Sequence, residues 1–209
     1  MVNIIQRFIR RRQEKINENN RKRLINRTPT LICSNCTGGV LYHWLGLKFQ
    51  SPFINLYMDN DDFLTAMENF DEFINGDIIE DTNSGKSYPV GIGYGGCKIH
   101  FMHYKSFEDG IKKWNERKAR INKDNMAIWL TNYKSTNYNG GGIIKRFNKL
   151  PFENKLVFSG HKINEPNVVW LKGYNKVENK QNIFRTKNIF GKRWIDQFDY
   201  IEYLNNMIR

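Results

Sequence analysis

The residue types best suited to chemistry meet in one short turn, Ser34-Asn35-Cys36-Thr37-Gly38-Gly39. The turn follows a predicted strand and opens a predicted helix, so Cys36 stands at a helix N-terminus. The helix dipole and free backbone N–H groups there stabilise a thiolate, and the same N–H groups can hold an oxyanion during acyl transfer. Gly38 and Gly39 would let a substrate approach the backbone. The turn predicts a nucleophile beside an oxyanion site; the alternative is a structural turn whose cysteine is simply buried.

A cysteine nucleophile needs a base, and the sequence offers four histidines. His100 and His103 fall near the end of a predicted strand, where they would reach the same sheet edge as Cys36. Their side chains should point to opposite faces of that strand, so at most one of them is expected to meet Cys36. His43 lies about two helical turns beyond Cys36, which is too far, and His161, after another strand, is held in reserve.

A metal site is the competing interpretation of the cysteines. Cys33-x-x-Cys36 and Cys97-x-x-His100 resemble a zinc site of three cysteines and one histidine in count. However, Cys33 ends a strand that should be buried, and neither pair lies in the glycine-turned knuckle that such sites use. We therefore expect no metal ligands and no bound cofactor.

The elements around this turn predict an α/β fold. Thr30–Cys33 is a short apolar strand, the following helix should end at Gly46, and residues 52–57 form a second apolar run. Strand, helix and strand in so short a stretch predict a right-handed βαβ unit. A further helix should begin at Asn60, with Asp61 and Asp62 favouring its N-terminal dipole.

Later segments continue the alternation of strands and helices. Residues 81–96 are turn-rich, residues 98–104 alternate as a strand does, and Ser106 should cap a helix. Because the apolar strands are mostly continuous rather than alternating, the sequence predicts a mainly parallel sheet sandwiched by helices, Rossmann-like in architecture. The other predicted elements are strands at 126–131, 155–159 and 167–172, an Asn- and Gly-rich loop at 135–142, and a C-terminal helix from about residue 192.

The positive charge is concentrated in the first segment. Of the net charge of +12, residues 1–27 supply nine basic against two acidic side chains, a net of +7. Met1, Ile4, Ile5, Phe8 and Ile9 form an apolar stripe beside arginines, as in a basic amphipathic helix that lies on an anionic membrane. The alternative is a stripe that docks on the protein. We therefore divide the chain into residues 1–27, the basic N-terminal segment, and residues 28–209, a single α/β catalytic domain.

Several classes of protein are not expected from the composition. The domain has no basic motif with interleaved aromatic residues, so nucleic acid is not an expected partner. No apolar run reaches the roughly 20 residues that span a bilayer. An odd number of cysteines, three, favours a reducing compartment. The expected location is cytoplasmic, and peripheral attachment to the inner face of the membrane is the alternative left open.

A family resemblance adds to this interpretation. The segments SNCTGGVLYHWLGLKFQSPFINLYM, YPVG, IHFMHYKSFEDGIKKWNERKARINKDN, FNKLPFENKLVFS and WLKGY follow in the same order as in the bacterial domain-of-unknown-function family DUF1919. Members of this family are often labelled exopolysaccharide or capsule biosynthesis proteins. The resemblance matches Ser34, Asn35, Cys36, His100 and His103 to the family's motifs, whereas Cys33 and Cys97 depart from them. It implies an α/β fold and a place in surface-polysaccharide assembly.

Together these observations predict an enzyme, an O-acyltransferase that acetylates a sugar of a polysaccharide or a lipid-linked precursor. Acetyl coenzyme A is the expected donor. Cys36 is the expected nucleophile, and the family resemblance, rather than geometry, favours His103 over His100 as base. The expected substrate-binding residues are Ser34, Asn35, Gly38, Gly39, Tyr104 and Asn125.

Two alternatives remain open. One is a glycosyl- or phosphosugar-transferase of the same pathway, whose donor Lys105, Arg117 and Arg120 would hold. The other is a non-catalytic subunit that binds carbohydrate or assists assembly.

Overall fold

The structure is a computed structural model that describes residues 4–131, 141–177 and 181–208. Its strands are β1 (Thr30–Cys33), β2 (Ile79–Glu80), β3 (Val90–Ile92), β4 (Lys98–His100), β5 (Met126–Thr131), β6 (Lys155–Ser159) and β7 (Val168–Trp170). Its α-helices are α1 (Ile4–Arg23), α2 (Thr37–Leu45), α3 (Asn60–Glu68), α4 (Phe70–Asn75), α5 (Phe107–Lys118), α6 (Gly141–Asn148) and α7 (Tyr200–Asn206).

A four-stranded parallel sheet forms the centre of the molecule, in the order β1-β5-β6-β7. Every residue of β1 and β5 is buried, because helices cover both faces of the sheet. Neighbouring residues of β1 serve different cores: Ile32 packs with α3, α4 and α5, whereas Leu31 and Cys33 pack with α2 and α7. This confirms the predicted mainly parallel sheet sandwiched by helices.

The predicted βαβ unit at residues 30–57 is wrong in its second strand. Residues 52–57 are apolar and mostly buried, but the chain turns there, with Ile54 N–H donating to the Pro52 carbonyl and Asn55 at φ 61°. The parallel partner of β1 is β5. An apolar run buries equally well in a loop when its backbone groups find partners elsewhere, so apolarity alone does not make it a strand.

A second, antiparallel sheet of three strands, β2-β3-β4, was not predicted. One of its strands, β3, lies within residues 81–96, which we expected to be a loop. The predicted strand at 98–104 ends at His100, where Tyr104 N–H donates to the Phe101 carbonyl and closes a turn. Met102 and His103 are therefore exposed at this turn.

The helices are mostly as predicted, with two differences. The first is a break at Asn69, which separates α3 from α4. The second is the C-terminal helix, which begins only at Tyr200, after Asp199 caps it by accepting from Glu202 N–H. Gly46 ends α2 and Ser106 caps α5 as expected. The predicted Asn- and Gly-rich loop lies outside the described residues as far as residue 140, after which α6 begins.

The basic first helix, α1, docks on the domain through its C-terminal half. Arg193, which is 1% exposed, donates to Asn17 Oδ1 at 2.9 Å and lies over the Trp44 ring at 3.6 Å. Asn20 donates to the Tyr200 hydroxyl at 2.7 Å. Its N-terminal half presents Ile4 and Phe8 to solvent. The apolar stripe of residues 4–8 therefore does not dock on the domain, and its contact with a membrane stays a prediction.

Candidate active site

A pocket of about 430 Å³ opens at the carboxyl ends of β1 and β5, next to the start of α2. We call it the Cys36 pocket. Open α/β sheets bind ligands at this edge. Its described lining residues are Ser34, Asn35, Cys36, Tyr57, Met58, Asp59, Asn60, Asp61, Met102, Thr131, Ile143 and Asn182.

Ser34 joins the elements that build the pocket. Its backbone N–H donates to the Trp129 carbonyl, and its Oγ accepts from Thr131 N–H at 3.2 Å. Its carbonyl accepts from Met58 N–H at 2.9 Å, which brings the start of α3 beside the start of α2. The hydroxyl of this buried residue is thus engaged in holding strand ends together, whereas we predicted that it binds substrate.

The two polar atoms of the Asn35 side-chain amide lie in different environments. The Oδ1 atom accepts from Thr37 N–H at 3.0 Å and from Thr37 Oγ1 at 2.6 Å, which satisfies donors at the start of α2. The Nδ2 atom is buried and has no hydrogen-bond partner within the described part of the chain. The unused donor belongs to the residue that directly precedes Cys36, and acyl transfer requires a donor near its nucleophile.

Cys36 precedes α2 directly and its thiol donates to the Leu56 carbonyl at 3.6 Å. Burial raises the pKa of this thiol above its ordinary value. The sequence suggested a stabilised thiolate at a helix N-terminus, but desolvation outweighs the favourable hydrogen bond from backbone N–H. Cys36 is therefore a thiol at neutral pH and needs a base when it reacts.

The two glycines pack against protein. A Cβ built on Gly38 would lie 3.0 Å from Cys33 Sγ, and one built on Gly39 would lie 3.3 Å from Ile54 Cγ2. Both residues are buried within α2. They allow α2 to approach β1 and the loop at residues 52–57, whereas we predicted that they admit substrate.

His100 contacts the pocket through Tyr57. Their rings are stacked at 4.2 Å with an interplanar angle of 4°, and Tyr57 lines the pocket. The Tyr57 and Tyr88 hydroxyls are 3.0 Å apart, and Tyr88 lies 3.5 Å from His100 Nδ1. Burial lowers the pKa of His100, so its imidazole is neutral at pH 7.

Neither predicted base is hydrogen-bonded to the cysteine in the described structure. The Cys36 thiol bonds to Leu56, whereas His103, the preferred base, is exposed on the turn after β4. His43 is exposed near the end of α2, and His161 follows β6, where its backbone N–H donates to Ser159 Oγ. The predicted Cys–His pair stays a prediction.

Two predicted substrate-binding residues lie elsewhere. The Tyr104 hydroxyl donates to the Ile54 carbonyl and accepts from Arg117 at 2.7 Å. Asn125 precedes β5, at the opposite end of that strand from Thr131, about 20 Å away. It exchanges side-chain hydrogen bonds with Asn26. Both side chains therefore hold the fold together.

The carboxylates of the pocket are the site residues that the sequence analysis missed. Asp59 and Asp61 line the pocket, whereas we assigned Asp61 only to the dipole of α3. Burial, and repulsion from Asp59, raise the pKa of neighbouring Asp62. The Asp-x-Asp spacing directly after an apolar run is the signal that could have found the pair.

The other cysteines do not form a metal site with Cys36. Cys33 and Cys97 are 0% and 1% exposed and belong to different cores. Burial raises the pKa of the Cys97 thiol to about 11. Within the ranges that the structure describes, no group of three or more His, Cys, Asp or Glu side chains is arranged to hold a metal ion.

The helices of residues 4–131, 141–177 and 181–208 include none that combines the length and apolarity needed to cross a bilayer.

The comparisons with known proteins identify the family. A family model described as "Domain of unknown function (DUF1919)" matches residues 6–205. A protein of Haemophilus influenzae, named only as an uncharacterized protein, is 35% identical over 207 residues, which is 98% of this chain and 95% of the relative. The match reaches from α1 to α7 and so includes every element around the Cys36 pocket. The chain belongs to the DUF1919 family.

Proposed function

We propose that this protein is a transferase of surface-polysaccharide biosynthesis that moves an acetyl group from acetyl coenzyme A to a sugar hydroxyl in the Cys36 pocket. The observation that carries the proposal is that Asn35, whose amide donor is unused, directly precedes Cys36 at the start of α2 and lines the same pocket. A nucleophile and an oxyanion donor side by side are the two parts that acyl transfer needs.

The first step would form a thioester on the protein. Cys36 Sγ attacks the acetyl carbonyl, a carbon–sulfur bond to Cys36 forms, and the bond to coenzyme A breaks. The thiol proton passes to a base and then to the leaving thiolate of coenzyme A. Asp59 and Asp61 are the candidate proton acceptors, because they line the same pocket as the thiol. In the second step a sugar hydroxyl attacks the thioester: the acetyl carbon–oxygen bond forms, the carbon–sulfur bond to Cys36 breaks, and the hydroxyl proton passes through the same base to the Cys36 thiolate.

The lining favours a neutral, hydroxyl-rich acceptor. Asp59, Asp61, Asn60 and Asn182 offer carboxylate and amide groups, which bond sugar hydroxyls well. The described lining residues include no Lys, Arg or His side chain. A pyrophosphate would thus meet two carboxylates without a compensating cation, so in this proposal the pyrophosphate of coenzyme A stays outside the pocket and only the pantetheine arm carries the acetyl group in.

His100 is a positioning residue in this proposal. It holds the Tyr57 ring by stacking and by two backbone hydrogen bonds, at 2.9 and 3.1 Å. Tyr57 in turn lines the pocket, where an aromatic ring could pack against a sugar.

Intact-mass measurement after incubation with acetyl coenzyme A tests the proposal. The wild-type chain should gain one acetyl group, Cys36→Ser should gain none, and Cys97→Ser, a matched change at a buried cysteine, should behave as wild type. Addition of an oligosaccharide acceptor should discharge the adduct. An unmodified wild-type chain at every donor concentration would refute the covalent step.

A glycosyl- or phosphosugar-transferase is the second candidate, and the Asp-x-Asp pair at residues 59 and 61 favours it. Such an enzyme would need a divalent cation between the carboxylates and the donor phosphates. The Arg117 and Arg120 side chains that we expected to hold that donor bond instead to Tyr104 and to the Phe49 carbonyl. A rise in unfolding temperature with a nucleotide sugar and Mn²⁺ together, and none with acetyl coenzyme A, would favour this candidate.

A non-catalytic carbohydrate-binding subunit is the remaining alternative. It predicts that oligosaccharide raises the unfolding temperature of wild type and Cys36→Ser equally, with no acetylated product from either chain.

A further inference from the structure

Exposed apolar side chains concentrate at one end of the molecule. Eleven large hydrophobic residues are exposed in the described structure, and five of them belong to two neighbouring segments. We call these five side chains the apolar tip: Ile4, Ile5 and Phe8 on α1, and Ile189 and Phe190 on an irregular hairpin at residues 183–195. Ile4 is 82% exposed and Phe190 is 63% exposed.

The two segments form one surface because the hairpin touches the helix. A Cβ built on Gly191, next to Phe190, would lie 2.8 Å from Arg12 Cβ and 3.1 Å from the Ile9 carbonyl oxygen. Gln13 Nε2 donates to Thr186 Oγ1 at 3.0 Å. The hairpin is closed by a hydrogen bond from Lys187 N–H to the Lys192 carbonyl at 2.7 Å. Phe190 is therefore held beside the N-terminal half of α1.

The charge around the apolar tip has one sign. Residues 4–13 contain four arginines and no acid, and residues 185–192 add three basic residues and no acid. All seven of these basic side chains are exposed: Arg7, Arg10, Arg11, Arg12, Arg185, Lys187 and Lys192. Arg12 lies over the Phe8 ring at 5.1 Å, so charge and apolar surface meet.

We propose that the apolar tip and its basic surround form a surface that binds an anionic lipid bilayer. An apolar projection that inserts below the headgroups while flanking cations meet their phosphates is the arrangement of peripheral membrane segments. Aliphatic side chains such as Ile4 and Ile189 gain nothing from stacking on bases, which argues against nucleic acid as the partner. The inference does not depend on acyl transfer.

The proposed membrane-binding surface is also connected to the Cys36 pocket through the chain. Asn182 lines that pocket and immediately precedes the hairpin whose tip carries Ile189 and Phe190. Ile183 and Ile195, at the base of the hairpin, are fully buried and joined by a backbone hydrogen bond of 2.9 Å. One ordered segment thus connects the pocket with the proposed membrane contact.

Vesicle co-sedimentation of the full chain tests the surface. Wild type should sediment with vesicles of phosphatidylglycerol and phosphatidylethanolamine and stay in solution with phosphatidylcholine alone. Phe8→Ser with Phe190→Ser should weaken binding about tenfold or more without changing charge. Ile79→Ser removes a side chain of similar exposure, 69%, on β2 and should bind as wild type.

The charge requirement has its own control. Arg10→Gln with Arg11→Gln should weaken binding about tenfold or more, and added salt should do the same. Lys105→Gln with Lys112→Gln removes two exposed cations elsewhere and should leave binding intact. Because the changed side chains are exposed, unfolding temperatures should stay close to wild type.

Three results would overturn the inference. One is a wild-type chain that stays in solution with anionic vesicles. Another is a Phe8 and Phe190 variant that binds as tightly as wild type. The third is self-association or RNA binding that these substitutions abolish, without any vesicle binding.

Discussion

The Tyr57 ring lies flat against the His100 imidazole, with the ring centroids 4.2 Å apart and the planes within 4° of parallel. The same two residues exchange both backbone hydrogen bonds, in an isolated antiparallel bridge. This contact joins the three-stranded sheet to the loop that carries Tyr57 into the Cys36 pocket. The position of Tyr57, which forms one wall of the pocket, therefore depends on its packing against His100.

Burial of His100 should make the free energy of unfolding depend on pH. Because burial lowers the pKa of His100 in the folded state below the ordinary value of 6.5, the unfolded chain binds this proton more readily. The stability that neutral, buried His100 contributes to the folded state is therefore fully present above about pH 6.5. It is lost as the pH falls through and below this value, and the free energy of unfolding then changes by at most about 1.4 kcal/mol per pH unit. His100→Phe retains an aromatic ring for Tyr57 and should lose less stability than wild type between about pH 7 and pH 5.

Chemical denaturation of wild type and His100→Phe at both pH values measures this difference. Equal losses of stability in the two proteins would show that His100 is not the group that titrates. The comparison uses the difference between proteins because carboxylates also titrate in this range.

The reactivity of the three thiols should show whether burial or the helix dipole determines the pKa of Cys36. In the native protein one thiol per chain should react with a disulfide reagent, since Cys33 and Cys97 are almost inaccessible. Because burial raises the pKa of Cys36, its rate should climb about tenfold per pH unit through the neutral range. Cys36→Ser should abolish the reaction and Cys97→Ser should not. A rate that is already flat at neutral pH would mean a depressed pKa, as the sequence first suggested.

The parts of the fold that were predictable are those set by local apolar runs and caps. β1, β5 and β6 are short continuous apolar segments, and Gly46 and Ser106 end or begin helices through their own backbone and side-chain chemistry. The partner of β1 was not predictable in this way, since Thr30 pairs with Met126, far along the chain. Residues 52–57 have the same apolar character as a strand, and only tertiary contacts assign them to a loop.

The residues of the candidate site likewise fall into two groups: those indicated by a local sequence pattern and those that only tertiary contacts place. Asn35 and Cys36 were found because a polar turn between strand and helix is a local pattern. Asp59 and Asp61 form a local Asp-x-Asp pattern that was overlooked, but only the tertiary hydrogen bond from Met58 N–H to the Ser34 carbonyl brings them to this pocket. Asn125 could have been excluded from the sequence, because it precedes a strand of a predicted parallel sheet, whereas ligands bind at the carboxyl ends of such strands.

Gly38→Ala should destabilise the protein even though alanine favours helices. The new Cβ would lie 3.0 Å from Cys33 Sγ in a fully buried contact, and such overpacking costs about 1–3 kcal/mol. Gly142→Ala on α6, where a built Cβ meets nothing within 4 Å, should be neutral or gain up to about 1 kcal/mol. Urea denaturation of both variants gives the comparison. If Gly38→Ala were as stable as wild type but failed to bind substrate, the glycine would serve the ligand after all.

Asn125→Ala should cost stability without affecting acetylation. Asn26 and Asn125 donate to each other's Oδ1 atoms at 2.7 and 2.9 Å, and Asn125 also donates to the Thr28 carbonyl. The substitution leaves buried donors and acceptors unpaired, at a cost of about 1–3 kcal/mol. The measurements are the free energy of unfolding and the acetyl adduct of the folded variant. A stable variant with a weaker adduct would return Asn125 to the list of substrate-binding residues.

Asn35→Asp separates the two tasks of Asn35. An aspartate oxygen can still accept from Thr37 N–H and Oγ1, so the turn before α2 keeps both bonds and the unfolding temperature should change little. The Nδ2 donor is replaced by an anionic oxygen, which repels a developing oxyanion. Loss of one oxyanion donor typically lowers the rate about 100- to 1,000-fold, so the rate of adduct formation should fall at least that far. Asn35→Ser is the matched control, since it removes the Nδ2 donor without adding charge. Adduct formation at the wild-type rate in Asn35→Asp would exclude the Asn35 amide from the oxyanion site and leave only the backbone of α2 for that role.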